Sequence, residues 1–93
     1  METEIKGKRN KMEIVYDILA IVQNSRGAKK THLMYKANLS HKQMKTYLDE
    51  LLEKGFVEGN AASDDYSIKI TKKGQTFITK YAQMKEFEKT FGL

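Results

Sequence analysis

The chain has 93 residues, a formal net charge of +5, 40% hydrophobic residues and no cysteine. This length fits one domain with a modest core, and the lack of cysteine excludes disulfides, thiolate nucleophiles and cysteine-type zinc sites. No apolar run approaches the roughly 18 residues of a membrane span, and the start METEIKGKRN lacks a signal-peptide core, so we expect a cytoplasmic protein.

Positive charge is concentrated in the first half of the chain. Residues 1–46 hold ten basic and four acidic side chains, a net charge of +6, whereas residues 47–93 hold seven and eight, a net charge of −1. A basic half beside a nearly neutral one favours an anionic partner, either nucleic acid or a membrane surface. The simpler interpretation is a solvated, slightly basic small protein.

The chain begins with a charged segment and a strongly apolar helix. Residues 1–9 lack apolar periodicity, which predicts a flexible basic arm. Asn10, three residues before Glu13, predicts the capped start of a helix over residues 11–24. Gly27 is predicted to end that helix in the left-handed conformation. Tyr16 lies opposite the apolar face of the helix and is expected to meet a partner copy or solvent.

Two further helices follow closely. Residues 28–30 fit a brief strand, and Thr31 predicts the cap of a helix to about residue 37, with Tyr35 half-buried. Asn38 begins a tight turn. Ser40, three residues before Gln43, then predicts a second capping box that opens a helix to residue 54. Two helices joined by about three residues form a helix-turn-helix.

A hairpin and a last helix complete the pattern. Residues 56–58 and 66–70 predict two paired strands separated by the tip GNAASDD, with Tyr66, Ile68 and Ile70 on the half-buried face. Thr71 predicts the cap of a helix over residues 72–91. This order predicts a mostly helical α+β fold. It is a winged helix-turn-helix over residues 10–71, with an additional C-terminal helix over residues 72–93 that serves dimerisation.

The outward face of the third helix separates its charges. It carries Lys42, Gln43, Lys45 and Thr46 in its first half and Asp49, Glu50 and Glu53 in its second half. A helix-turn-helix presents the first half of its second helix to base edges in the major groove of DNA. A merely solvated face is expected to intermix its signs and form intrahelical pairs. The segregation therefore favours a surface that faces DNA.

Further basic and polar residues fall where phosphates would pass. These candidate contacts are Lys29, Lys30, Thr31, Lys36, Ser40, His41, Lys8 and Arg9. Backbone amides at the starts of the second and third helices would add neutral contacts. At the hairpin tip, Asp64 and Asp65 are expected to repel phosphates, which leaves only weak hydrogen bonds from Asn60 or Ser63.

Two segments, LMYKANLSHKQMKTYLDELLEKGFVE and YSIKITKKGQTFI, resemble a known family. It comprises the small archaeal winged-helix DNA-binding proteins, some of them chromatin-associated, that dimerise through an antiparallel coiled coil of their C-terminal helices. The likeness covers roughly residues 8–91, and its most specific parts are YKANLS, YLDELLEKGFVE and ITKKG. The resemblance implies a homodimer that binds double-stranded DNA, with Lys42, Gln43, Lys45 and Thr46 as the recognition surface.

The last helix carries an apolar stripe wider than one buried face requires. Its predicted dimer-interface residues are Phe77, Tyr81, Met84, Phe87 and Phe91. The first half of the stripe is expected to cover the first helix. A lone helix that projected the later side chains would be unstable, so a second copy is expected to pair with them. Glu88 occupies a position that a coiled coil fills with an apolar residue, which predicts a short or partly polar seam.

Catalytic and metal sites are not expected. His32 and His41 lie nine residues apart without a third ligand at metal spacing, and the serines lack a histidine and an acid partner. We therefore expect no enzymatic activity, cofactor, metal ion, membrane partner or small-molecule substrate. Two hypotheses remain. The first is a homodimeric DNA-binding protein, either a transcriptional regulator or a nucleoid-associated protein. The second is a winged-helix module for an acidic protein partner, which the acidic tip favours.

Overall fold

Four helices and a two-stranded antiparallel sheet make up the part of the chain, residues 9–93, that the computed structural model describes. In chain order the elements are α1 (Lys11–Gln23), α2 (Lys30–Lys36), α3 (His41–Glu53), β1 (Val57–Glu58), β2 (Lys69–Ile70) and α4 (Lys72–Thr90). Val57 pairs with Ile70 and Glu58 with Lys69. This confirms the predicted α+β order of three helices, a hairpin and a C-terminal helix.

Both predicted capping boxes are present. The Asn10 side chain accepts a hydrogen bond from the backbone N–H of Glu13 at 2.8 Å, and the Glu13 carboxylate accepts one from the Asn10 N–H at 2.9 Å. Ser40 and Gln43 make the same reciprocal pair at 3.1 and 2.9 Å. Each box satisfies two of the amides that a helix start leaves without partners. The amides at the start of α3 are therefore capped by residues within its own first turn.

The core lies between α1, α2, α3 and the base of the hairpin. Its most deeply buried side chains come from all of these elements and include Ile18, Leu19, Val22, Leu33, Leu48, Leu51, Val57 and Ile68. Burying a side chain of this kind contributes about 1.5–3 kcal/mol. Ala28 adds the brief strand that the sequence predicts, as a single antiparallel bridge to Ile68. The core thus holds the hairpin base against α1.

The junction between hairpin and α4 is tightly packed. The Thr71 hydroxyl accepts a hydrogen bond from the Gly74 N–H at 3.1 Å, as predicted for a cap, and also lies 2.6 Å from the Gly55 carbonyl oxygen. A side chain on Gly74 would meet the Phe56 carbonyl oxygen and the Ile70 side chain. Glycine at this position therefore allows the first turn of α4 to approach the hairpin backbone closely.

Aromatic side chains attach the first half of α4 to the domain. Tyr81 stacks on Tyr16 of α1 at 4.8 Å between ring centroids, Phe77 stacks on Tyr81 at 6.0 Å, and Phe56 meets the edge of Phe77 at 5.6 Å. Burial raises the pKa of the Tyr81 phenol above its ordinary value. The expectation that Tyr16 faces a partner copy or solvent is wrong, because the returning α4 covers this face of α1.

Gly27 has a different role from the predicted one. Its backbone does not have a positive φ. Within residues 9–93, the glycines with a positive φ are Gly55, Gly59 and Gly92. A Cβ atom on Gly27 would instead lie less than 3.0 Å from the Tyr66 carbonyl oxygen. Glycine is therefore needed at position 27 for a close backbone approach, since α1 has already ended at Gln23.

Two tyrosines are more exposed than predicted. Tyr35 is 77% exposed. It follows the buried Leu33 by two residues, which places it about 200° around α2 on the solvent side. Tyr66 is 64% exposed, because the turn at the hairpin tip continues past it and β2 begins only at Lys69.

Within residues 9–93, no helix has the length and apolar character that crossing a membrane requires.

Candidate nucleic-acid interface

The first half of α3 presents a polar and basic surface. Met44, Leu48 and Leu51 face the core, and the other side of the helix is exposed. We use "the α3 surface" for the four exposed residues on that side in the first half, which are Lys42, Gln43, Lys45 and Thr46. Their exposure agrees with the helical periodicity, so the surface is open to a partner.

Three of these four side chains already have intramolecular partners. The Gln43 amide oxygen accepts the capping hydrogen bond from Ser40 at 2.9 Å, and the Thr46 hydroxyl donates to the Lys42 carbonyl at 3.1 Å. Lys45 pairs with Asp49 at 2.9 Å. The Lys42 ammonium has no such partner among residues 9–93. Because Gln43 needs both its oxygen and its nitrogen for a bidentate contact to adenine, that contact would require the capping box to open.

The acidic second half of α3 is partly neutralised from within. Glu50 forms an ion pair with Lys11 at the start of α1, with 2.8 Å between Lys11 Nζ and Glu50 Oε2. The hydrogen bond from Lys11 lowers the pKa of the Glu50 carboxyl, and the hydrogen bond to Glu50 raises the pKa of Lys11. Asp49 is paired with Lys45, as described above. Of the three predicted acidic residues, Glu53 keeps its charge without an ion-pair partner among the described residues.

The start of α2 binds the hairpin tip. The predicted cap at Thr31 is wrong, since the cap position is Lys29, which makes no side-chain capping hydrogen bond. Thr31 instead donates its hydroxyl to Asp64 at 2.9 Å. Lys30 donates to the Ala61 carbonyl at 2.9 Å, and the Lys29 ammonium lies 5.2 Å from the centroid of the Tyr66 ring. All three predicted phosphate contacts at this helix start therefore touch the hairpin.

The acidic tip is folded back on itself and on α2. Loss of hydration acts to raise the pKa of Asp64, but the hydrogen bonds from the Thr31 hydroxyl and N–H and the charges of Lys29 and Lys30 together outweigh it, so the pKa is lowered. Hydrogen bonds from Ser67 and Ser63 lower the pKa of Asp65. Asn60, predicted as a weak DNA contact, accepts from the Ala62 N–H at 2.9 Å. The tip groups are thus engaged internally, and the Asp64 carboxylate is directed at α2.

Arg9 is tied to the helix-turn-helix. One terminal nitrogen of its guanidinium donates to Asp17 of α1 at 2.7 Å, and the other donates to the Ala37 carbonyl at 2.5 Å. Predicted as the last residue of a flexible arm and as a phosphate contact, Arg9 is instead half-buried against the turn. Lys8 and the rest of the predicted arm lie outside the described residues.

The remaining candidate contacts lie around the turn. Lys36 is exposed in the last turn of α2, His41 is exposed at the start of α3, and the Ser40 hydroxyl is committed to its cap. These residues lie beside the α3 surface in the chain.

Within residues 9–93, no three His, Asp or Glu side chains come close enough to hold a metal ion.

A second exposed surface lies at the end of α4. Met84, Phe87 and Phe91 are 41%, 58% and 64% exposed, and the rings of Phe87 and Phe91 lie 4.8 Å apart. Of the five predicted dimer residues, Phe77 and Tyr81 pack on the chain's own domain instead. The later three side chains therefore form the apolar surface that remains uncovered.

Comparison with known proteins identifies the fold family. A family model described as winged helix-turn-helix matches residues 8–89. The chain belongs to the winged helix-turn-helix family. Two uncharacterized proteins of Methanocaldococcus jannaschii are similar to this winged helix-turn-helix protein. MJ0290 is 34% identical over 77 residues, which are 83% of this chain and 34% of that protein. MJ0287 is 36% identical over 53 residues, which are 57% of this chain and 54% of that protein. The chain therefore spans only part of each relative's length.

Two solved structures share the fold. One is Sso10a-2, a DNA-binding protein from Sulfolobus solfataricus, with a TM-score of 0.71 and 24% identity over 89% of this chain and 85% of that chain. The other is the multiple antibiotic-resistance repressor MarR from Listeria monocytogenes, with a TM-score of 0.63 and 19% identity over 82% of this chain and 58% of that chain. Both support the winged helix-turn-helix assignment.

Sequence reasoning missed the residues that connect distant parts of this winged helix-turn-helix protein. The sequence pattern predicts no contact for Asp17, a flexible arm at Arg9 and repulsion of phosphates by Asp64. Their contacts join residues 8, 28 and 33 positions apart. No local pattern reports such pairs, because helical and strand periodicities extend only over neighbouring turns and strands. The polarised face of α3, by contrast, was visible within one helix.

Proposed function

We propose that this chain is a homodimeric protein that binds double-stranded DNA by docking α3 in the major groove, as a transcriptional regulator or a nucleoid-associated protein. One observation carries the proposal. The exposed first half of α3 is basic and polar, and in its acidic second half Glu50 is neutralised by Lys11 of α1. The Lys45–Asp49 pair within α3 is the kind of contact that a merely solvated face would also form, so the proposal depends most on Lys42. A cytoplasmic, nucleoid-associated location follows from the same proposal.

The fold neighbours support this assignment. Sso10a-2 is described as a DNA-binding protein and MarR as a repressor. In a helix-turn-helix the first half of the second helix contacts base edges, and the basic residues around it contact phosphates. Lys42 is the strongest candidate on the α3 surface, because no group of the described chain occupies its ammonium. Lys36 and His41 are candidates for the flanking phosphates.

The test is a fluorescence-anisotropy titration of a random-sequence duplex at several salt concentrations. If about six phosphates are engaged, log affinity falls with log salt at a slope of roughly −5. Replacing Lys42 and Lys45 together with alanine is expected to weaken binding at least about tenfold, at roughly 1 kcal/mol or more per lost contact. The matched control replaces Lys80 and Lys89, two exposed lysines of α4, and removes the same charge.

Either of two results would contradict DNA binding through α3. Equal losses in the test and control variants would indicate general charge attraction. Wild-type affinity near the nonspecific floor of about 10⁻⁴ M at physiological salt would instead favour the alternative function, a module that binds an acidic protein partner.

The dimer part of the proposal rests on the end of α4. Three exposed apolar side chains on one helix favour association with a second copy. Changing Phe87 and Phe91 to serine is expected to convert a dimer to a monomer in sedimentation equilibrium. The control changes the polar neighbours Gln83 and Thr90 to serine. A wild-type chain that sediments as a monomer at high micromolar concentration would refute this part alone.

A further inference from the structure

We propose that Arg9 is a positioning residue. It holds the turn before α3 at the angle that DNA binding needs, and its charge does not contact phosphate. This inference rests on the proposed binding of DNA by α3. It also reassigns a basic residue that sequence composition places in a DNA-binding arm.

The first step is the geometry of the guanidinium. Nη1 donates to Asp17 at 2.7 Å, while Nη2 donates to the Ala37 carbonyl at 2.5 Å and lies 3.4 Å from the Asn38 carbonyl. The Arg9 side chain is only 26% exposed. One planar group therefore connects α1 to the segment between α2 and α3. A lysine ammonium lacks this fixed fork and cannot hold both partners in the same way.

The second step is the state of the turn that Arg9 contacts. Asn38 has a φ of +58° and is the non-glycine residue with positive φ within residues 9–93. The last carbonyls of α2 have no partner further along that helix, and Arg9 satisfies the one at Ala37. Lys42 follows only four residues after Asn38. A change in the turn therefore changes the direction of α3 and displaces the α3 surface.

The charge of Arg9 is balanced by that of Asp17. The Arg9–Asp17 pair carries no net charge, so it adds little to attraction for a polyanion beyond the Debye length. Two predictions of opposite sign follow for Asp17→Asn. Simple charge attraction predicts tighter DNA binding, because the substitution removes a negative charge. Loss of the positioning contact predicts weaker binding, because Arg9 is no longer anchored to α1.

The experiment measures duplex affinity against salt for Arg9→Ala, Arg9→Lys and Asp17→Asn. We expect all three to weaken binding about three- to thirtyfold, the range for residues that modulate a site without touching its ligand, with an unchanged salt slope. The matched control Lys36→Ala, which removes an exposed candidate phosphate contact, is expected to reduce the slope by about 0.9. If Arg9→Lys keeps wild-type affinity while Arg9→Ala reduces the slope by about 0.9, Arg9 is a phosphate contact and the proposal is wrong.

A readout without DNA keeps this inference separate from the proposed function. Amide hydrogen exchange at residues 38–43 is expected to be faster in Arg9→Lys than in the wild type, with unchanged exchange in the core of α1. Unchanged exchange at the turn would overturn the positioning role. A wild-type chain that does not bind DNA but shows the faster exchange in Arg9→Lys would refute the function and retain the structural contact.

Discussion

The close approach of Gly27 to Tyr66 makes Gly27→Ala an informative perturbation. The added methyl group would lie 3.2 Å from the Tyr66 carbonyl carbon and closer still to its oxygen, so backbone must move. The adjacent bridge between Ala28 and Ile68 has hydrogen bonds of 2.8 and 3.2 Å, and both side chains are almost fully buried. The movement therefore disturbs the site where the hairpin base meets the core.

The size of the effect can be estimated from these contacts. Overpacking typically costs about 1–3 kcal/mol, and losing one bridge hydrogen bond costs about 1 kcal/mol. We expect Gly27→Ala to lower the free energy of unfolding by about 2–4 kcal/mol, which for a domain of this size lowers the melting temperature by roughly 10–25 °C. Urea unfolding followed by circular dichroism measures the first value and a thermal melt measures the second.

Gly55→Ala is the matched control. Gly55 has a φ of +79°, and, apart from its chain neighbours, no atom of residues 9–93 lies within 4 Å of the position of an added Cβ. Its substitution costs only the left-handed strain of roughly 1 kcal/mol. If Gly27→Ala destabilises the protein less than Gly55→Ala does, the backbone of residue 27 does not approach the hairpin as described, and the reasoning fails.

Two further predictions concern the hydrogen bond between Thr31 and Asp64 and the core face of α3. The pKa of Asp64 is lowered in the fold, so its ionised form stabilises the protein above its unfolded pKa of about 4, and this contribution is lost as pH falls through the lower folded value. The urea midpoint of Asp64→Asn should therefore lie below that of the wild type at pH 6–8 and converge with it in acid. A difference in midpoint that stays constant with pH would contradict a stabilising contact between ionised Asp64 and Thr31. Leu48→Ala removes a fully buried side chain and should cost about 2–5 kcal/mol, while Lys42→Ala should change stability by less than about 0.5 kcal/mol. Similar losses for both variants would contradict the assignment of the two faces of α3.

Local signals account for the parts of the fold that the sequence predicted. Both capping boxes involve residues three positions apart, and the apolar face of α1 repeats with the helical period. The cap at Thr71 is equally local. Such features depend on neighbouring residues only, so they can be identified without knowing the tertiary structure.

Long-range contacts explain the predictions that were wrong. Thr31 has the residue type of a cap, but an acidic group 33 positions later takes its hydroxyl. Tyr16 lies opposite an apolar stripe, but α4 returns to cover it. Arg9 follows a charged segment, yet its partners are on α1 and in the turn. In each case the deciding partner is distant in the chain, where periodicity and composition carry no information.

The aromatic stack between α1 and α4 has a consequence for DNA site selection. α4 is continuous over 19 residues, about 28 Å at 1.5 Å per residue, and only its first half is attached to the domain. In a dimer joined at the far ends of two such helices, the angle at which α4 leaves Tyr16 would set the distance between the two α3 helices. That distance decides whether both α3 helices reach major grooves about 34 Å apart on one face of a duplex. If the proposed dimer binds DNA, the stack would therefore set the separation of the two α3 helices, and a substitution at Tyr16 would change the preferred spacing of half-sites.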